Sequence, residues 1–176
     1  MFRLSWITML IITTLLMDQL YSQASPNLGL TPSQELIDAW DISIDPRGNG
    51  LPTGSGNAVK GEPIFLVKCA VCHGVDGEGL INDSLVGGFD SLTETRAIKT
   101  VGSYWPYATT LYDYIRRAMP YNNPHSLSNE ESYSLTAFIL FMNGIINKEE
   151  ELTQNNLALI EMPNHKNFYS PRYELP

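Results

Sequence analysis

The run Cys69-Ala70-Val71-Cys72-His73 constrains this chain more than any other stretch in it. C-x-x-C-H is the attachment pattern of a c-type haem: each thiol can add across a vinyl group of the ring, and the adjacent imidazole is then held beneath it as an axial iron ligand. A chain that carries such a ring has to fold around it, because the ring becomes part of the core. A structural zinc would need a second pair of ligands at compatible spacing. Cys69 and Cys72 are the only cysteines, and His125 and His165 are the only other histidines. A disulfide between the two cysteines would leave His73 unexplained. The pattern therefore predicts one covalent haem c, with Cys69 and Cys72 as its anchors and His73 as the proximal ligand.

The amino terminus points to export. Met1-Phe2-Arg3 is a short, positively charged start, residues 4–17 are almost wholly apolar, and Ser22-Gln23-Ala24 offers small residues at the spacing a signal peptidase reads. A membrane-spanning helix needs about 20 apolar residues, and Asp18 interrupts this run too early. Residues 1–24 are expected to be a signal peptide cleaved near Ala24, leaving an exported, periplasmic protein with no stable membrane anchor. The chain carries 19 acidic and 11 basic residues, a formal charge of −8. Such a surface makes nucleic acid a poor partner.

With the signal removed, about 150 residues remain, enough for one domain with extensions. Residues 25–57 read as an N-terminal arm. Thr31-Pro32-Ser33-Gln34-Glu35 can cap a short helix ending near Trp40, and 45–50 and 52–56 carry turn chemistry. The domain is expected over 58–145. A helix over Ala58–Lys68 leads into the haem motif, although Pro63 suits only a first turn. The glycine-rich stretch 74–88 should wrap the haem as loop and supply, within 79–88, the carbonyl that accepts from the second ring nitrogen of His73. Leu111, Tyr114 and Ile115 mark one face of a helix over Ala108–Ala118. Ser128 and Glu131 form a capping box for a last helix over 129–143, with Gly144 as its C-terminal stop. Residues 146–176 lack a periodic apolar face and read as a C-terminal arm.

For the sixth iron position the exported chain offers Met119, Met142, Met162, His125 and His165. Met142 falls among the core residues of the last helix. Pro120 ends the helix before Met119 and leaves the thioether on a loop that can fold over the iron, so Met119 is the first choice. Met162, also followed by proline, is the runner-up, and His125 is the bis-histidine alternative.

Gly61 and Phe65 stand eight and four residues before Cys69. In position they resemble the class I cytochromes c, which pack their first helix against their last at such residues. That resemblance implies an all-α fold around one haem, with Leu135 and Phe138 as counterparts of Gly61 and Phe65 on the last helix. The run from Lys99 through Tyr104-Trp105-Pro106 to Arg116-Arg117-Ala118-Met119-Pro120 is narrower in its likeness. It resembles the haem-binding segment of the cytochrome subunits that serve molybdenum sulfite and sulfur dehydrogenases. Trp40-Asp41-Ile42, Gly50-Leu51-Pro52 and Met162-Pro163-Asn164 are similar to that group's arms, so the likeness spans residues 36–168. A single C-x-x-C-H limits it to the single-haem type.

The resemblance implies a His/Met haem c that accepts electrons from a molybdenum-cofactor dehydrogenase subunit and hands them to a downstream cytochrome acceptor. Tyr104, Trp105 and Arg116 become candidates for binding the haem propionates, and the arms, through 40–52 and 157–168, for clasping the donor chain. Catalysis by the chain itself is not expected, since both axial positions would be filled by protein. An independent soluble shuttle is the alternative, and a haem sensor with a weak Met119 bond a more remote one.

Overall fold

A computed structural model describes residues 29–168; the expected signal peptide lies outside them. Among the described residues no helix is long and apolar enough to cross a membrane. Contacts divide the chain into two units, Met1–Asp41 and Ile42–Pro176. The described part of the first unit holds one helix, α1 (Gln34–Trp40), capped by the Ser33 hydroxyl, which accepts from the Leu36 amide at 3.2 Å. All of its side chains are exposed.

Among its described residues, the second unit has helices and one two-residue ribbon as its regular elements. In chain order it contains β1 (Ser55–Gly56), α2 (Ala58–Lys68), α3 (Ala70–His73), α4 (Ala108–Ala118), α5 (Asn129–Met142) and β2 (Leu152–Thr153). The strands pair antiparallel, Ser55 with Thr153 and Gly56 with Leu152. The expected all-α fold is observed, and the three long helices fall where their patterns place them.

α5 is the central element. Its capping box closes in both directions: the Ser128 hydroxyl accepts from the Glu131 amide at 3.1 Å, and the Glu131 carboxylate accepts from the Ser128 amide at 2.9 Å. From Ser132 to Leu140 every side chain is buried. Two hydroxyls in that run are satisfied within the helix, Ser132 donating to the Ser128 carbonyl and Thr136 to the Ser132 carbonyl. Gly144 takes φ +68°, and the Ile145 and Gly144 amides donate back to the Leu140 and Phe141 carbonyls. That pair of bonds ends the helix and consumes carbonyls that would otherwise be orphaned.

α2 crosses α5 at Gly61. A Cβ there would stand 2.0 Å from the Ser134 carbonyl oxygen and 2.8 Å from Phe138 Cβ. One turn on, the rings of Phe65 and Phe138 meet with centroids 5.3 Å apart. Gly61 and Phe65 therefore make the helix contact expected of them. Pro63 sits at the sixth position of α2 rather than in its first turn. It withholds an N–H from the Val59 carbonyl, and Val59 lies on the half-exposed outer side of the helix, where water can serve.

Residues 42–57 and 146–168, read from the sequence as parts of arms, contribute to this core. Ile44, Leu152, Leu157 and Met162 are buried. Tyr133 on α5 donates to the Pro52 carbonyl at 2.9 Å, and Thr109 on α4 to the Pro46 carbonyl at 3.3 Å. The Asp45 carboxylate organises this segment by accepting from the Arg47 and Asn49 amides and from both side chains. The Asn49 side chain, followed by Arg47, holds its carboxyl down at about 2 against an ordinary 3.8. A folded pKa below the unfolded one gives stability that is complete above the unfolded value and is lost as pH falls through the folded one. Asp45→Asn should accordingly lower the thermal midpoint at about pH 6, and the gap from wild type should narrow towards about pH 2. A gap equally wide at both would show that the carboxylate charge is not what holds the turn.

Candidate functional site

The haem-attachment motif begins where α2 ends. Cys69 caps α2 with its amide on the Phe65 carbonyl at 2.8 Å, and the single turn of α3 follows, the Cys72 and His73 amides both donating to the Cys69 carbonyl. Ala70 turns into the core, while Cys69, Cys72 and His73 line one cavity of about 590 Å³. Cofactor sites fall at about 300–1,000 Å³. Both cysteines are free. Burial, only partly offset by the Lys68 charge, pushes the Cys69 thiol up to about 11.

The loop after the motif is stitched by its own backbone. The Gly79 amide donates to the His73 carbonyl, the Ile81 and Asn82 amides to that of Cys72, and the Leu85 amide to that of Gly77. This folding brings the Asp83 carbonyl to 2.9 Å from His73 Nδ1. A carbonyl can only accept, so Nδ1 carries the proton and Nε2 keeps its lone pair for a metal. Asp83 falls within the 79–88 window expected to supply the acceptor; a carbonyl leaves no side-chain signal by which the sequence could single it out.

The far wall comes from α4, α5 and the chain that follows α4. Leu111 and Ile115 of α4 and Leu135 and Ile139 of α5 supply apolar surface, with Val101 and Trp105 beside them. Trp105 stands edge-on to Tyr114, centroids 5.7 Å apart. Met119 caps α4, half-buried, and lines the cavity with Pro120 and Tyr121. Asn82, Asn122, Asn123 and Ser126 add polar lining that the sequence reading missed. The turn residues Asn122 and Asn123 read only as loop, with nothing local to say which way they face.

Cys69, Cys72, His73, Trp105 and Met119 thus share one cavity, whereas Tyr104 and Arg116 do not line it. Tyr104 packs its ring edge-on against Phe168 and lies under the Lys99 ammonium at 4.9 Å. Arg116 reaches the Ile42 carbonyl at 3.4 Å. These are the contacts that the structure gives the two side chains expected to meet the propionates. Met142, Met162, His125 and His165 are also absent from the lining. Met162 is a core residue, 1% exposed. His165 Nδ1 lies 3.2 Å from the Pro106 carbonyl, with its ring against Tyr107.

Two thiols on one helical turn, an imidazole with a free Nε2, a thioether and apolar walls make a donor set that fits a covalently held haem. Comparison with known proteins agrees. The family model described as cytochrome c matches residues 58–143. A chain in the crystal structure of the sulfane dehydrogenase SoxCD from Paracoccus pantotrophus superposes with a TM-score of 0.77 at 41% identity, covering 85% of this chain and 75% of that one. The thiosulfate dehydrogenase of Allochromatium vinosum is 31% identical over 97 residues, 53% of this chain and 36% of that protein. A cytochrome c-553-like protein of Synechocystis is 34% identical over 62 residues, 35% of this chain and 59% of that protein. The chain thus spans only about a third of the length of the thiosulfate dehydrogenase it matches. Fold, site and relatives converge: the chain belongs to the cytochrome c family, a class I electron-transfer protein of the sulfur-dehydrogenase type that carries one covalent haem c.

Proposed function

We propose that this cytochrome takes electrons from a molybdenum-cofactor dehydrogenase subunit acting on sulfite or a related sulfur compound, and passes them to a downstream cytochrome acceptor in the periplasm. The observation that carries this reading is the 41% identity over three quarters of a chain in the SoxCD structure. The haem supplies reversible one-electron exchange when bound. Cys69 and Cys72 would fix the ring by thioether bonds, and His73 would present Nε2 to the iron, with the Asp83 carbonyl accepting its Nδ1 proton. Met119 would supply the other iron ligand, and the Trp105 indole N–H would donate to a propionate. Around the attachment edge, Val67 is 80% and Val71 64% exposed, and both border the cavity. Electrons enter or leave there, where the attachment edge is open to a partner and the helices α4 and α5 wall the opposite side.

The arm before the domain supports a docked subunit over a free shuttle. On α1, Trp40 is 79% exposed, and Leu36 and Ile37 lie open beside it. Such a cluster of exposed apolar side chains marks an interaction surface. The test deletes residues 25–41, leaving 42–57 in place because Ile44 and Pro52 belong to the core contacts. The truncated protein should keep its haem spectrum, lose co-purification with the dehydrogenase, and be reduced by sulfite plus dehydrogenase about tenfold more slowly, the equivalent of one lost 1.4 kcal/mol contact. Full-rate reduction with retained co-purification would remove the docking role. Reduction at the full rate without any stable complex would establish the free shuttle instead.

A further inference from the structure

We propose that Asn143 is a positioning residue for His73: it holds the loop whose Asp83 carbonyl takes the His73 Nδ1 proton, and so helps to set the reduction potential. The inference rests on the reading of His73 as an iron ligand. Asn143 follows α5 as its C-terminal cap and is 6% exposed. Its side-chain nitrogen donates to the Leu85 carbonyl at 3.1 Å and to the Ile139 carbonyl at 2.9 Å. Both amide hydrogens are thereby used, and the amide orientation is fixed, because the reverse would set Oδ1 against two carbonyl oxygens.

Oδ1 is buried with no hydrogen-bond partner and lies against Gly102, where a Cβ would stand 2.2 Å from it. An unsatisfied buried acceptor is unfavourable, and an apolar side chain at this position would not carry that cost. Helix capping does not require it either, since the Asn143 backbone amide already donates to Ile139 and Gly144 with Ile145 closes the helix end. What the amide adds is the Leu85 bond. Leu85 lies two residues beyond Asp83 in a loop that is otherwise tied to α3, by the Gly79 amide on the His73 carbonyl and the Asn82 amide on that of Cys72, and to Thr100, whose hydroxyl donates to the Gly87 carbonyl at 2.6 Å. Asn143 anchors that loop to the central helix, and through Gly102 it abuts the segment carrying Val101 and Trp105. A short hydrogen bond from His73 Nδ1 raises the basicity of the ring as a ligand and favours the oxidised form. Freeing the loop should weaken it.

The experiment compares the haem-loaded full chain with its Asn143→Leu variant, which keeps the bulk and removes the donors. In the variant, the His73 Nδ1 proton, followed by NMR in the reduced protein, should exchange with solvent about tenfold faster, the equivalent of one hydrogen bond. The midpoint potential should shift upward. A lower melting temperature with unchanged Nδ1 exchange and unchanged potential would reduce Asn143 to a helix cap and overturn the proposal. Should the variant fail to load haem, the wild type still decides. Its Asn143 side-chain amide protons should be protected from exchange relative to those of the exposed Asn155, and equal exchange refutes the anchor. A failure of the His73 reading is seen separately: His73→Gly would then keep the wild-type potential.

Discussion

Met119→Ala should abolish the near-infrared absorption that marks a thioether on oxidised haem iron and lower the reduction potential, whereas Met162→Ala should leave both intact. The sequence ranks Met119 before Met162, and the two occupy different surroundings in the structure. Met119 is half-buried on the cavity with Pro120 and Tyr121, while Met162 lies in the core, 1% exposed, and is not part of the cavity lining. A thioether favours reduced iron relative to a nitrogen ligand or water, so its loss should lower the potential by on the order of 0.1 V, a fraction of the ~0.8 V that axial ligation spans. The cost of Met162→Ala should fall on stability instead, about 2–5 kcal/mol for an emptied core position. Optical spectra, a redox titration and a denaturant curve on each variant give the comparison. The reverse pattern would assign the pocket closure to the C-terminal segment.

Gly61 should tolerate no side chain. Gly61→Ala ordinarily strengthens a helix interior by about 1 kcal/mol. At this position the added methyl would sit 2.0 Å from the Ser134 carbonyl oxygen, against backbone that cannot swing aside. The helices would have to part, and the Phe65–Phe138 contact one turn away would open with them. Overpacking of this kind costs about 1–3 kcal/mol and occasionally more, so Gly61→Ala should lose at least that much in a denaturant titration. Gly61→Leu should exceed the whole net stability of a small domain, about 5–15 kcal/mol, and yield no folded haem protein. An alanine variant as stable as wild type would mean that the two helices can part at this crossing without cost.

These two cases mark what was legible in advance. The helices that carry the site announce themselves through local signals: the Ser128–Glu131 box, the spacing of Leu111 and Ile115, and the motif placed directly after α2. Gly61 was readable because its distance from Cys69 is fixed along one helix. Tyr104 and Arg116 were not, because their directions depend on Phe168 and Ile42, tens of residues away in sequence. The same holds for residues 42–57 and 146–168. Ile44, Leu152 and Leu157 reach the core from loops and a two-residue ribbon, where no period of two or 3.6 exists to betray a buried face. Asn143 reads locally as the end of a helix, and only the proximity of Leu85 gives its side chain a second meaning.

The cavity's walls have a consequence for the life of the protein before it carries electrons. Phe65, Leu111, Ile115, Leu135 and Ile139, drawn from all three long helices, face a space of about 590 Å³ rather than one another. Without the ring those apolar side chains would face water and forgo burial that a small domain, stable by only about 5–15 kcal/mol, depends on. The polypeptide therefore cannot complete its interior alone. Attachment of the ring at Cys69 and Cys72 becomes the step that commits the chain to its final shape. Molecules that miss that step stay open to proteolysis, which makes survival itself a record of correct maturation.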